Sequence, residues 1–124
     1  MNNYIELSAR LSLSAIFLIA GIGKISAFAG TQAYMESQGI PGILLPIVIG
    51  LEIIAPVMLI IGWKTRLAAF SLAGFSVLSA VLFHFNFADQ IQSIMFMKNI
   101  AIAGGLLLLC TYGAGHFSLD KRMQ

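Results

Sequence analysis

Four long apolar segments dominate this sequence and limit the chain to folds that a lipid bilayer can hold. They cover approximately residues 7–25, 43–62, 67–88 and 94–112, and each is close to the roughly 20 residues that a transmembrane helix needs. Their hydrophobicity is continuous rather than alternating, which favours helices over the strands of a barrel. Only 10% of the residues are charged, against about 25% in soluble domains. The sequence therefore predicts an all-α membrane protein, a four-transmembrane-helix bundle forming one domain over residues 1–124.

The basic residues predict the orientation of this bundle. Most of them fall on the side that holds both termini and the tight second loop, namely Arg10, Lys64, Arg66, Lys121 and Arg122. The opposite side has only Lys24 and Lys98. Because cytoplasmic loops carry an excess of Lys and Arg, both termini are predicted to be cytoplasmic.

The first connection on the outer side, residues 26–42, is the longest of the three. Thr31 to Gln38 is predicted either as a short helix, with Gly39 ending it, or as a plain loop. Ala27-Phe28-Ala29 superficially resembles a signal-peptidase site, but Lys24 lies between the apolar run and that site. We therefore expect the first span to be retained.

Glu52 is the only acid in an otherwise uncharged stretch from Ser37 to Trp63. A carboxylate at the centre of a membrane helix costs roughly 2.5–3.5 kcal/mol on insertion scales, so such a residue usually faces the protein interior or a wet cavity. Pro56 follows four residues later and supplies no N–H to the Glu52 carbonyl. Side chain and backbone both place unsatisfied polarity at the centre of this span, which predicts a functional site there.

Two polar residues near the outer ends of other spans are candidates for the same site. If the fourth span starts near Ile94, Lys98 lies about one turn inside and its side chain approaches Glu52. If the span starts at Asn99, Lys98 is an interfacial anchor instead. His84 lies near the outer end of the third span and is either an interfacial hydrogen-bonding residue or a ligand-binding group.

Arg10, Phe17 and Lys24 recur every seven residues in the first span. This spacing drifts by only about 20° per step, so the three side chains share one helix face. The two cations are then about 21 Å apart along the axis. If this face looks inward, it carries a cation near each end of the bundle; otherwise both side chains snorkel to the nearest interface.

Together these residues predict an outward-leaning ligand pocket. Its candidate residues are Glu52, Lys98, His84, Lys24, Arg10 and Asn99. A quinone headgroup has two carbonyl acceptors, and Lys, His and protonated Glu are suitable donors to it. His84 and His116 lie on opposite sides of the membrane, and Cys110 is the sole cysteine. No metal, haem, nucleotide or nucleic-acid site is expected.

The motifs, in order, are Arg10, Ala20-Gly21-Ile22-Gly23-Lys24, Gly39-Ile40-Pro41, Glu52, Gly62-Trp63-Lys64-Thr65-Arg66-Leu67-Ala68-Ala69, His84, Phe96-Met97-Lys98-Asn99, Gly104-Gly105-Leu106 and Tyr112-Gly113-Ala114-Gly115-His116-Phe117-Ser118-Leu119-Asp120. Their order and spacing across nearly the whole chain resemble the DoxX family of small bacterial membrane proteins. The resemblance implies a multi-pass protein of the bacterial inner membrane. It also implies a link, in some members, to quinone-coupled sulfur oxidation or to complexes that handle oxidative and thiol stress.

Three functions follow as hypotheses, and whether the protein is an enzyme is left open. The first is a quinone-interacting membrane subunit, for ubiquinone or menaquinone, within a redox or stress complex. The second is a proton-linked carrier for an anionic or weakly acidic solute, which would need a homodimer to form a path. The third is a scaffold that docks a soluble enzyme through the basic tail Lys121-Arg122. A purely structural role for Glu52 and Lys98 is the alternative to all three.

Overall fold

The computed structural model describes residues 3–122 and is built from helices. In chain order they are α1 (Asn3–Ser26), α2 (Phe28–Ser37), a 3₁₀ turn (Gly42–Leu44), α3 (Leu45–Ile61), α4 (Thr65–Phe83), α5 (Gln90–Tyr112) and α6 (Leu119–Arg122). Within this range four segments are long and apolar enough to cross a membrane: α1, the 3₁₀ turn with α3, α4 and α5. The predicted all-α fold with four spans is confirmed. The predicted domain range also includes residues 1, 2, 123 and 124, which lie outside the described residues.

The connection between α4 and α5 differs from the prediction. We expected the third span to continue to Ala88 and the fourth to begin near Ile94, but α4 ends at Phe83 and α5 begins at Gln90. The Asp89 side chain accepts hydrogen bonds from the N–H groups of Ile91 and Gln92 and so caps α5. Hydrophobicity did not reveal the end of α4, because the loop that follows it is itself rich in phenylalanine.

The four spans pack in the order α1, α3, α4, α5. The most extensive contacts are between α4 and α5 and between α1 and α3, whereas α1 and α5 touch only sparsely. Phe17, Leu59, Leu72 and Leu106 belong to the shared core. Small buried residues (Ala68, Ala69, Ala73 and Ala103) allow close helix approach where lipid provides no hydrophobic driving force.

The C-terminal segment closes the end of the bundle that holds residues 3 and 122. The Asp120 carboxylate accepts hydrogen bonds from the N–H groups of Lys64, at 2.7 Å, and Thr65, at 2.9 Å, at the start of α4. Partial burial opposes ionisation, but these hydrogen bonds and the charge of Arg10 hold the pKa of Asp120 below its usual range. Arg66 donates to the Thr111 carbonyl near the end of α5, at 2.9 Å. The negative charge of Asp120 therefore lies at the N-terminus of α4, and the positive charge of Arg66 lies at the C-terminus of α5. The helix dipole favours both arrangements.

Helix α2 covers the other end of the bundle. It confirms the short helix that the sequence left open, although it begins at Phe28 rather than Thr31. Met35 is buried beneath it, and the Tyr34 ring stacks on Phe83 of α4 with centroids 5.6 Å apart. The helix therefore forms a roof that reaches from the end of α1 to the end of α4.

Candidate functional site

A cavity of about 290 Å³ lies beneath α2, at the end of the bundle opposite residues 3 and 122. Residues of α1, α2, α3, α4 and α5 contribute to its wall, and most of the wall is apolar. Five of the six predicted site residues line it: Lys24, Glu52, His84, Lys98 and Asn99. A concave apolar site with a few convergent polar groups is the usual form of a small-molecule site, and the volume is just below the roughly 300–1,000 Å³ that such sites span.

Glu52 and Lys24 form an ion pair at the wall of this cavity. The Lys24 Nζ atom lies 2.7 Å from Glu52 Oε1, and the side chains are 29% and 3% exposed, respectively. No hydrogen bond of good geometry reaches Oε1 from within residues 3–122. The pair offsets part of the cost of burying a carboxylate.

Glu52 pairs with Lys24 rather than with Lys98, the neighbour expected from the sequence. Within residues 3–122, Lys98 forms no ion pair, and its side chain is exposed at the edge of the cavity. Since α5 begins at Gln90, Lys98 lies about two turns into the helix rather than one. Moreover, α5 packs along α4 rather than along α3, so Lys98 belongs to another wall of the cavity.

Gly21 explains why α1 supplies the partner of Glu52. A Cβ atom at Gly21 would lie 3.0 Å from the Ile53 side chain and 3.1 Å from Glu52 Cβ. The missing side chain therefore lets α1 approach α3 closely at this level. Lys24 follows three residues later and so reaches the carboxylate.

Replacing Gly21 with alanine is expected to separate α1 from α3 and to destabilise the protein by about 1–3 kcal/mol, the usual cost of overpacking. Gly23 is the matched control, because nothing lies within 4 Å of a Cβ at that position. Gly23→Ala should be neutral or should stabilise the helix by up to about 1 kcal/mol. Thermal unfolding in detergent, followed by circular dichroism, compares the two. Equal melting temperatures would contradict the close approach.

His84 connects the end of α4 to the first turn of α5. Its Nδ1 atom lies 2.7 Å from Gln92 Oε1. With that oxygen as acceptor, Nδ1 carries the proton, and Nε2 of the neutral ring is a hydrogen-bond acceptor. Gln92 was not among the residues predicted from the sequence, although it lies three positions after the capping residue Asp89.

Arg10 lies at the other end of the bundle, away from the cavity. Its side chain is fully buried (0% exposed) on the same face of α1 as Phe17 and Gly21, which confirms that the predicted shared face looks inward. The guanidinium donates to the carbonyls of Leu59, at 3.0 Å, Ile60, at 3.3 Å, and Phe117. The first two belong to the last turn of α3, where carbonyls lack intrahelical partners. The structure thus separates Arg10 from the other five predicted site residues.

The polar side chains of the cavity are hydrogen-bond donors and acceptors. In the described part of the chain, no three His, Cys, Asp or Glu side chains come together in a way that could hold a metal ion. Lys24 and Lys98 are donors, and the Glu52 carboxylate and His84 Nε2 are acceptors. Such a set can orient a carbonyl-bearing ligand and exchange protons with it.

The sequence is similar to a known family of proteins and to two inner membrane proteins of Escherichia coli. The family model for DoxX matches residues 5–85. The chain is 49% identical over 118 residues to the inner membrane protein YqjF of Escherichia coli (strain K12), covering 95% of this chain and 91% of that protein. It is 36% identical over 123 residues to the inner membrane protein YphA of the same organism, covering 94% of this chain and 88% of that protein. No solved structure matches the chain.

Proposed function

The chain belongs to the DoxX family and is a multi-pass inner-membrane protein, and from that premise we propose that its cavity binds the headgroup of a quinone. The observation that carries the proposal is the Lys24–Glu52 ion pair at the wall of a largely apolar cavity. A buried ionisable pair in a membrane span is expensive, and such residues commonly mark ligand or proton pathways. The apolar wall packs against the quinone ring, and the polar side chains form hydrogen bonds with its oxygens.

The chemistry of the cavity fits the two carbonyl oxygens of a quinone. Each oxygen accepts hydrogen bonds, and Lys24, Lys98 and the Asn99 amide provide N–H donors on two walls. Quinone reduction also takes up protons, and Glu52 and His84 can relay them. The electrons would come from a partner protein in the membrane or at its surface. Ubiquinone and menaquinone both satisfy this description.

The proposal is tested by quinone binding to the purified protein in nanodiscs. The wild type should bind a ubiquinone or menaquinone analogue saturably. Glu52→Gln and Lys98→Met should each weaken binding at least severalfold, because each removes a polar contact in a site of low dielectric. Lys64→Met is the control, since Lys64 lies at the opposite end and does not line the cavity. Absence of saturable binding by the wild type would refute the proposal.

A proton-linked carrier is the second candidate, and the interior of α3 favours it. Pro56 is buried within this helix and leaves the Glu52 carbonyl without its usual N–H partner. Interrupted helices next to an ionisable residue are typical of transporter binding sites. Reconstitution into proteoliposomes with a pH gradient distinguishes the two, because only a carrier would produce net flux of a weakly acidic solute.

A further inference from the structure

The cavity is covered towards the aqueous side by α2. Met35, which is 5% exposed, seals the underside of this roof, and Tyr34 stacks on Phe83 at the far wall. Gln32 Nε2 donates to the Gly42 carbonyl at 3.1 Å, which holds the roof to the start of the next span. A solute that enters from water at this end would have to displace these contacts.

Towards the lipid, the wall between α1 and α5 is incomplete. These two helices touch only sparsely. They come close near Gly105, where a Cβ would lie 3.4 Å from Leu13 Cδ2, and this level is nearer to the termini than the cavity is. Within the cavity wall, Ile16 of α1 is 38% exposed and Lys98 of α5 is exposed. Exposure of these two lining residues is what an opening of the cavity between α1 and α5 would produce.

We infer that ligands enter this cavity from the bilayer, through a slot between α1 and α5, and that the ligand is an amphiphile whose apolar chain stays in the slot. The inference rests on the proposed function, since it takes the Glu52–Lys24 end as the headgroup site. A cavity of about 290 Å³ holds a ring-sized headgroup but not a long prenyl or acyl chain. The apolar chain of the ligand leaves the cavity through the slot, where it contacts lipid and keeps its hydrophobic contacts.

The slot is tested by two neighbouring tryptophan substitutions on α1. Ile16 lines the cavity eight residues before Lys24, about 12 Å along the helix, so Ile16→Trp narrows the slot without reaching the headgroup site. Ile19→Trp is the control, because Ile19 is 71% exposed and does not line the cavity. The probes are a dimethoxy-methyl-benzoquinone without a tail and the same ring with a decyl tail. Ile16→Trp should weaken binding of the tailed probe at least fivefold and that of the tailless probe less than twofold.

The outcomes distinguish the slot from the headgroup site. If the wild type binds neither probe, the proposed function fails. If both bind and Ile16→Trp affects neither, or both equally, the headgroup site stands and the slot is refuted. An equal effect of Ile19→Trp would also refute it, because Ile19 does not line the cavity.

A second measurement tests the route without any quinone. Ser79 of α4 lines the cavity, so the thiol introduced by Ser79→Cys, in a Cys110→Ser background, reports which reagents enter. We expect labelling by the lipid-soluble N-cyclohexylmaleimide to be at least tenfold faster than labelling by a sulfonated maleimide. Each rate is normalised to Gln90→Cys, since Gln90 is exposed at the start of α5. Faster labelling by the sulfonated reagent would show entry from water and would overturn the inference.

Discussion

Replacing Arg10 with alanine is expected to destabilise the folded protein by about 3–5 kcal/mol, at the upper end of single-substitution effects. The side chain is fully buried and donates to the carbonyls of Leu59, Ile60 and Phe117. An unsatisfied buried acceptor costs about 1–3 kcal/mol, and the substitution leaves three carbonyl acceptors without their donor. It also removes a cation from the C-terminal end of α3, where the helix dipole favours one. Chemical or thermal unfolding in detergent measures the loss.

Two further variants show whether the geometry of Arg10 matters. Arg10→Lys keeps the charge but not the planar set of donors that reaches separate carbonyls, so it should recover less than half of the lost stability. Arg66→Ala is the matched control, because Arg66 is exposed and donates to a single carbonyl, that of Thr111. Its effect should stay below about 1 kcal/mol, as for most surface groups. Similar losses for Arg10→Ala and Arg66→Ala would contradict the role assigned to Arg10.

Lys24→Met is expected to destabilise the protein by about 3 kcal/mol, because removing one partner of a buried ion pair leaves the other charge uncompensated. Glu52 is only 2% exposed, so little water reaches the carboxylate in place of the ammonium group. The double variant Lys24→Met/Glu52→Gln should be more stable than Lys24→Met alone, since no buried charge is left without a partner. A double-mutant cycle of unfolding free energies measures this coupling.

Lys98→Met is the control for this cycle. Lys98 lines the same cavity but forms no ion pair within residues 3–122. Its replacement should change stability by less than about 0.5 kcal/mol, as expected for a surface position. A large coupling between Lys98 and Glu52, with none between Lys24 and Glu52, would restore the pairing that the sequence predicted and refute the pairing in the structure.

Much of the candidate site was visible in the sequence because charge is rare in a membrane span. Glu52, Lys24 and Lys98 are conspicuous among apolar neighbours, and the cost of burying them predicts that they face inward or reach an interface. Helical periodicity also placed Arg10 and Lys24 on one face of α1 and left open whether that face looks inward; the structure shows that it does. Their partners were not predictable in this way, because hydropathy describes each helix separately and contains no information on which helices become neighbours.

The sequence by itself determined the four spans, since the length of an apolar run is matched to the thickness of the bilayer. It also determined that Glu52 needed a polar environment. Only the tertiary structure decided that Lys24 supplies it, that Arg10 serves a helix end instead, and that α2 covers the cavity. These outcomes depend on close approach between elements distant in the chain. The missing side chain of Gly21 lets α1 pack against α3 at the level of Glu52, and a contact of that kind becomes apparent only when the helices are packed together.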